Sequence, residues 1–157
     1  MLTEKGSAVG IVLAAILILV SSFLPWGYVT VGLGGADEIT FDFGPFISSR
    51  VTLTAWNSHI STAHIMLPNW LIVLVGVLAA ATYLLRSTAP EGKRAMLVVA
   101  LASYGLLHSA FASYILNTSL NSNASYGVFL TILAFASILA ILVGRRRYRQ
   151  PAILKTP

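Results

Sequence analysis

The chain has 157 residues, a mean hydropathy of +0.83, 10% charged residues and a net charge of +5. A soluble domain carries roughly a quarter charged residues, so a chain this poor in charge lacks the groups that keep a protein surface wet. Cysteine is absent, which excludes disulfides, thiolate metal sites, thioether haem attachment and a cysteine nucleophile.

Four apolar runs without Asp, Glu, Lys or Arg organise the sequence, at about 7–24, 69–85, 95–116 and 127–144. Each is long enough to cross a hydrocarbon core. Lipid offers no partner to a free backbone amide, so such runs are helical. The first run follows Lys5 and is closed by Pro25. Val20-Ser21-Ser22 would pass as a cleavage site, but the run is long for a signal peptide and reads as a retained signal anchor.

Residues 25–67 form a long connection with strand-like alternation in three places, Tyr28–Leu33, Ile39–Phe43 and Arg50–Trp56. Gly34-Gly35-Ala36-Asp37 and Gly44-Pro45 supply the turns between them. The pattern predicts an external three-stranded antiparallel meander, its apolar face resting on the outer ends of the helices. Residues 57–67 then return the chain to the membrane as a short helix or an irregular segment. Leu24-Pro25-Trp26 and Pro68-Asn69-Trp70 place Trp26 and Trp70 at the outer membrane boundary, where an indole favours the headgroup level. Pro68 sits where proline is tolerated at the start of the second helix.

The third run carries His108, with Tyr104 and Phe111 on the same helical face. An ionisable group in a membrane span is a functional hypothesis by default. Neutral imidazole could bond across to a serine or carbonyl, ligate a haem or chlorophyll, or hydrogen-bond a quinone. A bis-histidine haem would need a second histidine at membrane depth, and the spans contain none. His59 and His64, even with Asp42, lack the spacing of a metal site, and no metal is expected. Asn117-Thr118-Ser119 and Asn123-Ala124-Ser125 are formal glycosylation sequons in the second external loop. Residues 145–157 form a basic tail opened by Arg145, Arg146 and Arg147, a stop-transfer anchor with partner docking as the alternative.

Small residues recur at helical spacing, which permits close helix approach where packing drives association in lipid. Gly6, Gly10 and Ala14 do so in the first helix and Gly76 and Ala80 in the second. Ala102, Gly105, Ser109 and Ala112 line one face of the third, and Ala136, Ala140 and Gly144 one face of the fourth. These faces serve either packing inside the bundle or contact with another subunit.

Nine of the ten basic residues fall on one side of the spans and only Arg50 on the other, while Asp37, Glu38 and Asp42 lie in the first long loop. The positive-inside rule then puts both termini and residues 86–94 in the cytoplasm. The positive charge is a topology signal and a lipid-headgroup contact, and does not point to nucleic acid.

Four spans, internal termini, a strand-bearing first external loop and the Trp26-Gly27 pair resemble the claudin-like tetraspan proteins. The resemblance implies a helix bundle capped by a sheet that mediates lateral or partner contacts. It departs from that family in lacking the paired cysteines of the first loop. The chain is also similar to small prokaryotic four-span proteins with a Leu-Pro-Trp exit from the first helix.

The expected fold is therefore an all-α membrane bundle of four transmembrane helices with a small antiparallel β-sheet in the first extracellular loop, set in a prokaryotic cytoplasmic membrane. No nucleophile elbow, phosphate loop, zinc-protease motif or intramembrane carboxylate gives a catalytic reading a start. The leading expectation is a non-enzymatic accessory subunit of a larger membrane complex. It would act through Gly6, Gly10, Ala14, Ala102, Gly105, Ser109, Ala136 and Ala140 laterally, the sheet outwardly and Arg145–Arg147 at the inner face. The alternatives are a subunit touching a tetrapyrrole or quinone through His108, and a homo-oligomeric pore.

Overall fold

The computed structural model describes residues 4–32, 48–61, 66–85, 91–118 and 122–149. In chain order these form α1 (Glu4–Phe23), β1 (Gly27–Gly32), β2 (Ser48–Leu53), β3 (His59–Ser61), β4 (Met66–Pro68), α2 (Leu71–Leu84), α3 (Glu91–Thr118), β5 (Ser122–Ala124) and α4 (Tyr126–Arg149). Three of the four helices, α1, α3 and α4, are long and apolar enough to cross a bilayer. α2 is equally apolar but has 14 residues, about 21 Å of helix against a hydrocarbon core of about 30 Å.

The helices pack as a ring in which each touches the two beside it, α1 with α2 and α4, and α3 with α2 and α4. Glycines mark the closest approaches. A Cβ on Gly10 would lie 2.7 Å from Ile141 Cδ1, one on Gly76 2.8 Å from Ile18 Cδ1, and one on Gly105 2.2 Å from Phe135 Cζ. The small-residue faces of the first three helices thus receive large side chains from their neighbours, and Phe135 and Ile18 are buried by the arrangement.

The bundle is turned out relative to a soluble one. Ser7, Ser21, Ser22, Ser109, Ser113 and Thr131 are buried, while Leu13, Ile16, Leu78, Leu107, Phe129 and Leu133 stand outward. That distribution suits a solvent of lipid tails, where an apolar exterior costs nothing. The Ser21 and Thr131 hydroxyls share a 2.6 Å hydrogen bond across α1 and α4.

α1 ends where its own side chains begin to compete for backbone. Ser21 and Ser22 donate to the carbonyls of Ile18 and Leu19, and Pro25 has no amide with which to continue. The chain passes straight into β1, with the Trp26 amide donating to the Leu53 carbonyl at 2.7 Å.

The sheet differs from the expected meander. β1 pairs antiparallel with β2 in the register Gly27↔Leu53 to Gly32↔Ser48. On its other side β1 pairs with β5, Gly27↔Ala124 to Val29↔Ser122. The order is β2-β1-β5, so the first predicted strand is central and its second neighbour comes from the distant loop between α3 and α4. The predicted strand at 39–43 lies outside the described residues. β2 stops at Leu53 because Asn57 takes over the backbone beyond it, accepting from the Thr54 amide at 2.6 Å and donating to the Thr52 carbonyl at 3.1 Å.

The return to the bundle is also a correction. Residues 59–61 and 66–68 form a second, two-stranded antiparallel ladder, with His59 opposite Pro68, rather than a helix or irregular chain. Pro68 ends β4 instead of starting α2, which begins at Leu71 after Asn69 and Trp70.

Candidate functional site

Both ladders lie at one end of the bundle, since β1 follows the last turn of α1 and β4 precedes the first turn of α2. They are held in different ways. The three-stranded sheet is joined to α1 and α4 through backbone. Ser125 N donates to Trp26 O at 2.7 Å, Gly127 N to Pro25 O at 2.9 Å and Ala55 N to Ser22 O at 3.2 Å. Trp26 fills the space beneath, 1% exposed, its indole donating to the Ser21 carbonyl at 3.0 Å.

This overturns the reading of Trp26 as a headgroup anchor. A ring enclosed by the protein with its one donor satisfied internally has nothing to offer a membrane surface. Trp70 is 37% exposed and keeps that possibility. The aromatic missed from the sequence is Trp56, 48% exposed. Its indole donates to Ser22 Oγ at 3.0 Å and its ring lies 5.5 Å from that of the outward Phe23. The Thr-Leu-Thr-Ala-Trp alternation placed Trp56 in a strand, and only the Asn57 turn brings it against the end of α1.

The small residues named as interaction sites are mostly used inside the molecule. Gly10, Ala14, Ala102, Gly105 and Ser109 face neighbouring helices, and Ser109 Oγ donates to Gly105 O at 2.7 Å. Of the two roles read for these faces, these five residues take packing inside the bundle in this structure. Gly6 is half-buried in the first turns of α1, and Ala136 is half-buried on α4. Ala140 is exposed, and a Cβ built on Gly144 would meet nothing within 4 Å.

At the opposite end, basic side chains tie off α2. Arg94 donates to the Leu85 carbonyl at 3.3 Å, and Arg145 donates to the Tyr83 hydroxyl at 2.7 Å with its guanidinium over the ring. A cation at a helix C-terminus is favoured by the carbonyl end of the dipole. The backbones of Arg146 and Arg147 continue α4 beside Arg145.

The second ladder is held by side chains. His108, on α3, is 6% exposed and has both ring nitrogens engaged. Nε2 meets Asn69 Oδ1 at 3.1 Å and Nδ1 meets the Tyr104 hydroxyl at 3.2 Å. Asn69 Nδ2 donates to Ser58 Oγ at 2.9 Å, and Ser58 Oγ donates onward to the Thr54 carbonyl. Asn69 also gives its backbone amide to Ser58 O at 3.1 Å. His108 therefore stands level with the start of α2, and α3 continues past it for ten residues, about 15 Å. With Ile60, Leu67, Tyr104, Leu107 and Phe111 it lines an open pocket of about 220 Å³.

With both nitrogens occupied, a metal in a tetrapyrrole would have to displace Tyr104 or Asn69 to reach the ring. Among the described residues no three His, Cys, Asp or Glu side chains gather as a metal site. His59 is exposed in β3, and His64 and Asp42 lie outside the described residues. Asn117 and Asn123, the sequon residues, are both exposed, and the Asn117 side chain accepts from the Ala124 amide at 3.2 Å.

Comparison with known proteins finds no matching family model, no matching curated protein and no matching solved structure.

Proposed function

We propose that the chain is a non-enzymatic accessory subunit of a larger membrane complex, with the three-stranded sheet as its docking face. The observation that carries this reading is the way the sheet is built. Strands from two separate loops share β1, and backbone hydrogen bonds fix it to α1 and α4. A surface held that firmly loses little conformational freedom when a partner lands on it. Thr52 and Asn123, which share one face of the sheet on either side of Tyr28, are exposed and offer the contact.

In this proposal α2 completes a four-span topology as a short span, the bilayer thinning locally to meet it. The basic end, with Lys5, Arg94 and Arg145–Arg147, faces the cytoplasm and its anionic lipids. The sheet faces outward, as in the claudin-like arrangement. Ala140 and Gly144 are the outward small residues left for lateral contact, with a second copy or another subunit.

The test is purification in mild detergent from native membranes, with mass spectrometry of what accompanies the chain. A defined membrane partner is expected, and Thr52→Arg should release it while the variant remains folded. Recovery of the free monomer alone from native membranes would sink the proposal.

A further inference from the structure

The pocket beside His108 has no part in the docking reading, and its chemistry follows from the hydrogen-bond chain behind it. The direction of that chain is fixed from its far end. The Thr54 carbonyl can only accept, so Ser58 Oγ commits its one proton there. The Ser58 oxygen then accepts from the NH₂ of Asn69, which turns Oδ1 toward the imidazole. Oδ1 carries no hydrogen, so His108 Nε2 is the donor across 3.1 Å. In the neutral ring Nδ1 is left with a lone pair and accepts from the Tyr104 hydroxyl at 3.2 Å. Tyr104, 42% exposed, thus has no proton left to give. What its oxygen still offers the pocket is acceptor capacity.

The rest of the lining is apolar. Ile60 and Leu67 form one wall, Leu107 and Phe111 the other, and Leu107 is 70% exposed on the outer face of α3. A volume of about 220 Å³ is below the roughly 300–1,000 Å³ that encloses a whole ligand, so the pocket suits one end of a longer molecule. A carbonyl-headed ligand such as a quinone is mismatched. It can only accept, and would have to take the Tyr104 proton away from His108.

We infer that this pocket seats the head of a membrane alcohol, an amphiphile whose hydroxyl donates to the Tyr104 oxygen while its apolar body lies along Leu107 and Phe111. Linear and polycyclic alcohols share this chemistry, and separate probes distinguish them.

The experiment uses the full chain in phosphatidylcholine nanodiscs with two pairs of photoactivatable diazirine probes. One pair is hexadecanol and its methyl ether; the other is cholesterol and its methyl ether. Within at least one pair, the alcohol should label Ile60, Leu67, Leu107 and Phe111 about three- to tenfold more than its ether, the worth of one hydrogen bond. The pair that shows the preference names the alcohol. Tyr104→Phe should bring the alcohol down to the ether's level and leave ether labelling unchanged, which also shows that the variant is folded. Leu107→Trp, at an outward position, should lower labelling by both. Equal labelling by alcohol and ether in both pairs, a preference that survives Tyr104→Phe, or labelling indifferent to Leu107→Trp would each overturn the inference.

Discussion

The two strand-bearing caps stand side by side at one end of the bundle, yet they close it by different means. Over α1 and α4 the three-stranded sheet is joined backbone to backbone, with Trp26 filling the interior and no room to spare. A Cβ on Gly127 would lie 2.6 Å from Pro25 O and 2.8 Å from Trp26 Cδ1, and one on Gly27 2.9 Å from Asn123 O. Over α2 and α3 the β3–β4 ladder is three residues long on each side and hangs on one backbone bond, Asn69 N to Ser58 O, and a chain of side chains from Tyr104 to the Thr54 carbonyl. Backbone contacts bring main chains to van der Waals distance. Side-chain contacts hold them farther apart, and here they leave a pocket. The first cap is architecture; the second has space for something else.

The sharpest way to break this contrast is Trp26→Ala. Emptying so large a buried site should cost about 3–5 kcal/mol, read as an early unfolding transition in detergent, and should loosen β1, β2 and β5 together. Gly127→Val comes next. Overpacking against backbone at Pro25 should cost about 1–3 kcal/mol, again with faster amide exchange confined to the three-stranded sheet. Asn69→Leu tests the other cap. It orphans the His108 donor and the Ser58 acceptor at an expected cost of about 1–3 kcal/mol. Here exchange should quicken in 59–61 and 66–68 and stay unchanged in β1. Were Asn69→Leu to loosen both caps equally, the two would be one cooperative unit and the contrast would fall. The smallest effect is optical. In a Trp56→Phe, Trp70→Phe variant, where Trp26 alone remains, brominated lipid should leave the emission largely unquenched, while the wild-type chain is quenched through the exposed Trp56 and Trp70.

Much of this was legible in the sequence, for identifiable reasons. Charge-free runs of helical length have one solution in lipid, so α1, α3 and α4 followed directly, and alternation revealed β1 and β2. β5 was hidden because Ser122-Asn123-Ala124 has no alternation and becomes a strand only through its pairing with β1. Pro68 was read as a helix start because proline tolerates that position. A proline also tolerates the end of a short strand, and only the partner His59 decides between them. Trp26 was misplaced since position along the chain locates an indole at a boundary without saying which way the ring turns. The small-residue spacings were visible, but the side chains that fill them, Ile141, Ile18 and Phe135, are known only from packing. His108 stood out as an ionisable residue in an apolar span; Asn69, 39 positions earlier, had no signal linking it to the ring.

The pairing of Tyr28 with Asn123 has a consequence for synthesis. β1 and β2 emerge early and can zip together while most of the bundle is still unmade. The remaining edge of β1, at Gly27–Val29, has to wait until α3 has been built and the turn into α4 has appeared. A nascent chain halted before that point carries an open strand edge, the feature by which incomplete proteins find wrong partners. Closure of that edge by β5 therefore marks the arrival of the last helix, and a chain truncated before residue 122 should be held or degraded where the full one is released.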